Sequence, residues 1–66
     1  MNSNLSYKNK QSSVYVDLTK TDGKYNVYVY DFILLRDVFI KQGMNRNEAL
    51  KVFHECREKH NCNIEV

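Results

Sequence analysis

Residues 13–30 read SVYVDLTKTDGKYNVYVY, and this stretch decides the fold. Asp22-Gly23 lies between two runs in which apolar residues alternate with polar ones. A type I′ turn needs positive φ at both central positions, which Gly reaches freely and Asp tolerates. The dipeptide therefore predicts a β-hairpin with a two-residue loop between strands at about 13–21 and 24–30.

The register of this hairpin sorts its side chains onto two faces. If Asp22 and Gly23 form the loop, Thr21 faces Lys24, and the pairing continues outward residue by residue. One face is then aliphatic and carries Val16, Leu18, Val27 and Val29. The other face carries Tyr15, Asp17, Thr19, Asn26, Tyr28 and Tyr30. We expect the aliphatic face to be covered by the rest of the chain.

The apolar residues after Asp31 group at spacings of three and four, which predicts a first helix over 32–42. Asp31 would cap its first turn, and Gly43 would end it. The alternative is that the second strand continues through Leu35. On this helix Ile33 and Ile40 fall outside the main apolar face, so we interpret them as oligomer contacts, most simply in a homodimer.

A second helix is predicted over 46–60, because the segment 45–48 (Asn-Arg-Asn-Glu) has the pattern of a capping box. Residues 62–66 alternate again, which predicts a short third strand that either pairs with the hairpin or stays loose. Residues 1–12 contain lysines and no acid, and we interpret them as a flexible basic arm before a single domain at 13–66. The predicted fold is a small α+β domain, β-β-α-α(-β), in which a hairpin packs against two short helices.

Size and composition exclude several classes of protein. A chain of 66 residues forms one domain, and a core this small seldom contributes more than about 3–5 kcal/mol without help from a partner. The net charge of +2 is short of the concentrated excess expected of a dedicated nucleic-acid binder, but charge alone does not identify the partner. No apolar run reaches the roughly 20 residues of a membrane span, and no leader peptide is expected. The two cysteines fit a reducing cytoplasm, and a composition rich in Asn, Lys and Tyr is typical of small phage and viral proteins.

One cluster contains possible metal ligands: His54, Cys56, His60 and Cys62. On a helix Cys56 and His60 share a face, whereas His54 points away, so that four-ligand binding of zinc is disfavoured. An open site from Cys56, His60 and Cys62, or a disulfide between the two cysteines, remains an alternative to plain buried thiols. We expect plain thiols, with no metal and no cofactor.

No catalytic constellation is visible. The acidic residues are scattered, the only glycines are Gly23 and Gly43, and a Cys56–His60 pair has no third group to orient it. We therefore expect a protein that is not an enzyme.

The tyrosine face of the hairpin is the predicted binding surface. Exposed tyrosines suit protein interfaces, and they also stack on single-stranded bases. The proposed contact residues are Tyr15, Tyr28, Tyr30, Lys20 and Lys24. Simple β-propensity, or burial of this face under a helix, would explain the tyrosines without any binding role.

These observations favour a small protein-binding module, which we interpret as a viral or phage accessory protein that inhibits or redirects a host protein by occupying its surface. The alternative is a basic nucleic-acid-binding module that uses the N-terminal arm and the tyrosine face.

Overall fold

The computed structural model describes residues 5–66. It contains one antiparallel sheet of five strands with the order β4-β3-β2-β1-β5. The elements in chain order are β1 Leu5–Asn9, β2 Val14–Thr21, β3 Lys24–Asp31, β4 Arg36–Met44, α1 Arg46–His60 and β5 Cys62–Glu65.

The hairpin prediction is confirmed together with its register. β2 and β3 pair from Thr21 and Lys24 at the loop to Val14 and Asp31 at the far end. Asp22 and Gly23 have φ values of 52° and 78°, as the two-residue turn requires. The two faces therefore carry the predicted side chains.

The helix covers the aliphatic face of the sheet. α1 packs against β2, β3 and β5, and the core consists of Val16, Leu18, Val27, Val29, Met44, Ala49, Phe53, Cys56 and Cys62. Asn45 caps α1 as predicted, because its side-chain oxygen accepts a hydrogen bond from the Glu48 amide at 2.8 Å. The Glu48 carboxylate lies 3.3 Å from the Lys41 ammonium on β4. Asn61, in the left-handed conformation, ends the helix.

The predicted helix over 32–42 is wrong, and so is the two-helix β-β-α-α fold. Residues 32–35 form a loop, and residues 36–44 form strand β4, which pairs with β3. The alternative continuation of the second strand through Leu35 is also wrong, since β3 ends at Asp31. Gly43 has a φ of 74° but lies within β4, where its N–H donates to the buried Asn26 side chain at 3.2 Å.

The two ends of the chain pair with each other. The prediction of a flexible arm covered residues 1–12, but the structure places Leu5–Asn9 in strand β1, between β2 and β5; residues 1–4 lie outside the described part. The C-terminal strand is present at Cys62–Glu65, but its partner is β1 and not the hairpin. The Arg57 guanidinium secures this corner, because it lies 3.7 Å from the centre of the Tyr7 ring and donates to the Cys62 carbonyl at 3.1 Å.

Candidate protein-binding surface

A loop of four large apolar residues projects into solvent between β3 and β4. Its members are Phe32, Ile33, Leu34 and Leu35, with exposed fractions of 50%, 69%, 61% and 85%. We call residues 32–35 the apolar loop. Single exposed apolar side chains are ordinary, whereas large contiguous apolar patches are typical of interaction sites.

Asp31 anchors the backbone of the apolar loop through hydrogen bonds. Its Oδ1 accepts hydrogen bonds from the amides of Ile33 and Leu34, both at 3.0 Å, and from the Ser13 hydroxyl. These bonds, with the Leu34 amide contributing most, lower the pKa of the Asp31 carboxyl below its usual value. The Phe32 amide also donates to the Ser13 carbonyl at 3.2 Å. The loop backbone is thus tied to the neighbouring end of β2.

The last residue of the loop is in an unfavourable conformation. Leu35 has a φ of 52°, in the left-handed region that L-residues other than Asn and Asp seldom adopt. It is also the most exposed of the large apolar residues in the described part of the chain. Its side chain therefore stabilises the fold very little, while its backbone costs free energy.

An aromatic cluster continues the apolar loop onto the sheet face opposite α1. Tyr15 and Tyr30 stack with ring centres 5.5 Å apart and an interplanar angle of 13°. Phe32 approaches Tyr15 edge-on at 5.4 Å and 78°. Burial raises the pKa of the Tyr30 phenol, and the charge and hydrogen bond of Asp17 raise it further. We call Tyr15, Tyr30 and Phe32 the aromatic cluster.

The predicted tyrosines lie on this open face, each half-buried, and the helix lies on the other side of the sheet. Tyr28 lies two residues from Tyr30 along β3, toward the Asp22-Gly23 turn, and its hydroxyl accepts a hydrogen bond from the Gln42 side chain at 2.9 Å. The predicted lysines are not beside the aromatic cluster. Lys20 and Lys24 are at the Asp22-Gly23 end of the hairpin, roughly 20 Å along the strands from Tyr30.

The predicted oligomer contacts also lie on the surface, but not on a helix. Ile33 is in the apolar loop, and Ile40 is in β4, opposite Tyr28 on the open face. Both are exposed, and neither is used by the core.

The cysteines and histidines do not form a recognisable chemical site. Cys56 and Cys62 are buried free thiols, and burial raises the pKa of both. Burial lowers the pKa of His60, and His54 is exposed at the helix surface. Within residues 5–66 no group of three or more His, Cys, Asp or Glu side chains is placed to hold a metal ion.

The apolar loop is the part of this surface that sequence reasoning missed. The spacing of its residues predicts a helix instead, with Ile33 outside the main apolar face. A signal was available, because four successive apolar residues after a capping Asp also fit one tight turn followed by a strand.

No helix in the described range is both long and apolar enough to cross a lipid bilayer. No family model matches the chain, and comparison with the curated proteins and with the solved structures finds no significant match.

Proposed function

We propose that the protein is a small non-enzymatic binding module that inserts the apolar loop and the aromatic cluster into an apolar groove of another protein, and thereby occupies that protein's surface. The observation that carries this proposal is the apolar loop itself. Four large apolar side chains are exposed to solvent on a backbone whose Ile33 and Leu34 amides donate hydrogen bonds to Asp31, and Leu35 adopts a strained conformation there.

The energetics suit such an interface. Burying the exposed parts of the four loop side chains contributes about 4–8 kcal/mol, at about 1.5–3 kcal/mol for each fully buried side chain. Association costs about 4–15 kcal/mol in lost rigid-body freedom. The loop alone therefore offsets only the lower part of this cost, so the adjoining Tyr15 and Tyr30 must share the contact. Because the loop is already ordered by Asp31, little further ordering entropy is lost on binding.

Site-specific photo-crosslinking tests the proposal. A photo-crosslinking amino acid in place of Leu34 should capture a partner in the natural cellular background, whereas the same group in place of Val66 should not. Val66 is a matched control, since it is 68% exposed and follows β5, at the opposite edge of the sheet from β4.

The captured protein is then purified and its affinity measured by calorimetry. Phe32→Ser and Leu34→Ser should each weaken binding about tenfold or more, and Val66→Ser should leave it unchanged. Equal loss in all three variants would contradict the proposal. Crosslinks only between copies of this chain would show instead that the loop is a homodimer contact.

A nucleic-acid partner is the second candidate, and one observation favours it. Lys8 and Lys10 line the same groove as Tyr15 and Phe32, so two cations stand beside two aromatic rings. Asp17 and Asp31 lie next to this groove and would repel phosphates. A complex held by phosphate contacts loses affinity steeply as salt rises, whereas an apolar protein interface barely responds. Retardation of single-stranded RNA or DNA at about 150 mM salt would favour the nucleic-acid function over the protein-binding one.

A further inference from the structure

A second surface lies on the other side of the sheet, between β4 and α1. The helix packs over β2, β3 and β5, so it leaves a groove of about 310 Å³ beside the exposed strand β4. The apolar part of this groove consists of Val38 and Phe39 from the strand and Val52 and Cys56 from the helix. None of these residues belongs to the apolar loop or the aromatic cluster.

Within residues 5–66, the strand that borders this groove has a free edge. β4 is the last strand in the sheet order, and its central residues Phe39, Ile40 and Lys41 pair regularly with β3. Thr21 and Lys24, which flank the two-residue turn, form a hydrogen-bonded pair between β2 and β3. Hydrogen-bonded and non-hydrogen-bonded residue pairs then alternate along the two strands, so that Val27 and Val29 belong to non-hydrogen-bonded pairs with β2. Val27 and Val29 therefore direct their backbone groups toward β4, and the N–H and C=O of Ile40 face outward.

Irregular pairing on both sides limits the free edge to a short stretch. The register shifts opposite Val29/Tyr30 and again opposite Tyr25/Val27. Such bulges interrupt the regular hydrogen-bonding edge and oppose open-ended pairing of strand on strand. What remains can accept a short extended segment.

Two lysines and one glutamate are the charged residues that line the groove. Lys41 borders it on the strand side and Lys59 on the helix side. Glu55 is the one acid among the described lining residues, and Glu48 forms only an exposed pair with Lys41. An occupant with carboxylates on either side of an apolar residue would complement this arrangement.

We propose that the groove between β4 and α1 binds an extended acidic peptide segment, which adds to the sheet as a sixth strand along β4 and places an apolar side chain against Phe39 and Val52. Main-chain hydrogen bonds to Ile40 would provide affinity, and the apolar floor and the lysines would provide selectivity. This inference does not depend on the proposed function of the apolar loop.

Amide NMR shift mapping with defined peptides tests the proposal. The probe is the heptapeptide TETLTET, blocked at both ends, so that the Glu and Leu side chains all project from one face of the extended chain. We expect it to shift the amides of Ile40 and of α1 between Val52 and Lys59, with a Kd below about 1 mM. The charge-reversed peptide TKTLTKT should bind at least about threefold more weakly.

Variants of the protein separate the contribution of the lysine charges to peptide affinity from that of the backbone hydrogen bonds. Lys59→Glu should weaken binding of TETLTET about three- to tenfold, whereas Lys51→Glu, on α1 but outside the groove, should have little effect. Ile40→Pro removes the outward N–H and should abolish binding, while Ile40→Ala keeps that N–H and should bind. For Ile40→Pro and Ile40→Ala, unchanged amide shifts in β1, β2 and β5 would show that the variant proteins are folded.

Several results would overturn the proposal. These are the absence of shifts at millimolar TETLTET, equal binding of TKTLTKT, and equal binding of a peptide whose alternate backbone nitrogens are methylated. Binding of decanoate in the groove without any binding of the peptide would show a site for a small amphipathic carboxylate instead. None of these experiments changes the apolar loop. Failure of the groove proposal would therefore leave the crosslinking test at Leu34 valid.

Discussion

Replacing Leu35 with Asn should make the protein more stable and its partner binding weaker. A non-glycine residue in the left-handed region costs about 1–2 kcal/mol, and Asn tolerates this region because its short polar side chain bonds locally. Leu35 is 85% exposed, so that only about 0.2–0.5 kcal/mol of apolar burial is lost with its side chain. Because Asn recovers part of the strain, we expect a net gain of about 0.5–1 kcal/mol in the free energy of unfolding.

Urea denaturation followed by circular dichroism measures this gain, and a thermal melt should show a rise in Tm of about 2–8 °C for a domain of this size. Leu34→Asn is the matched control. Leu34 is also exposed but has no positive φ, so its stability should change by less than about 0.5 kcal/mol.

Both variants remove an apolar side chain from the loop, so both should weaken binding of the partner captured at position 34. A loss of more than about 1 kcal/mol of stability in Leu35→Asn alone would refute the reasoning, because it would show that the Leu35 side chain supports the fold. Unchanged affinity in both variants would refute the assignment of the loop as a contact.

Three further predictions concern the fold. Asn26→Ala should destabilise the protein by about 1–3 kcal/mol in urea denaturation, since Asn26 is buried, donates to the hydroxyls of Thr19 and Thr21, and accepts from Gly43; a change below about 0.5 kcal/mol would contradict this role. The pKa of Asp31 is lowered in the folded state, so its contribution is complete above the unfolded value of 3.8 and is lost as the pH falls through the lower folded value. The difference in the free energy of unfolding between the native protein and Asp31→Asn should therefore shrink below about pH 4 in urea denaturation. A difference that stays constant with pH would contradict the lowered pKa of Asp31. Cys56 and Cys62 have raised pKa values and are buried, so iodoacetamide at pH 7 should modify them much more slowly in the folded protein than in urea, as followed by mass spectrometry; equal rates would show that the thiols are accessible.

The parts of the fold that are encoded by nearby residues could be read from the sequence alone. Asp22-Gly23 and the alternation around it determined the β2–β3 register, because a two-residue turn permits only one pairing. Asn45 likewise determined the start of α1, since the capping bond joins residues three apart. The aliphatic and tyrosine faces followed from the same local rules.

The segment after Asp31 was decided by tertiary structure. Asp31 does cap the amides of Ile33 and Leu34, as a helix start would require, but the turn ends at Leu35 and the chain then returns as β4 beside β3. Local spacing fits a helix and also a turn followed by a strand, and it could not decide between them, because the hydrogen bonds that favour β4 are made to another segment, β3. The apolar loop and the groove beside α1 both result from that choice.

The pairing of β1 with β5 was also decided by tertiary structure. Their pairing joins residues near opposite ends of the chain, such as Tyr7 and Glu65, so no short-range pattern encodes it. The sequence by itself determined the hairpin, the helix over 46–60 and the alternation of the last residues. Only the tertiary structure decided where the end strands pair and which apolar residues stay in solvent, because both depend on contacts between distant segments.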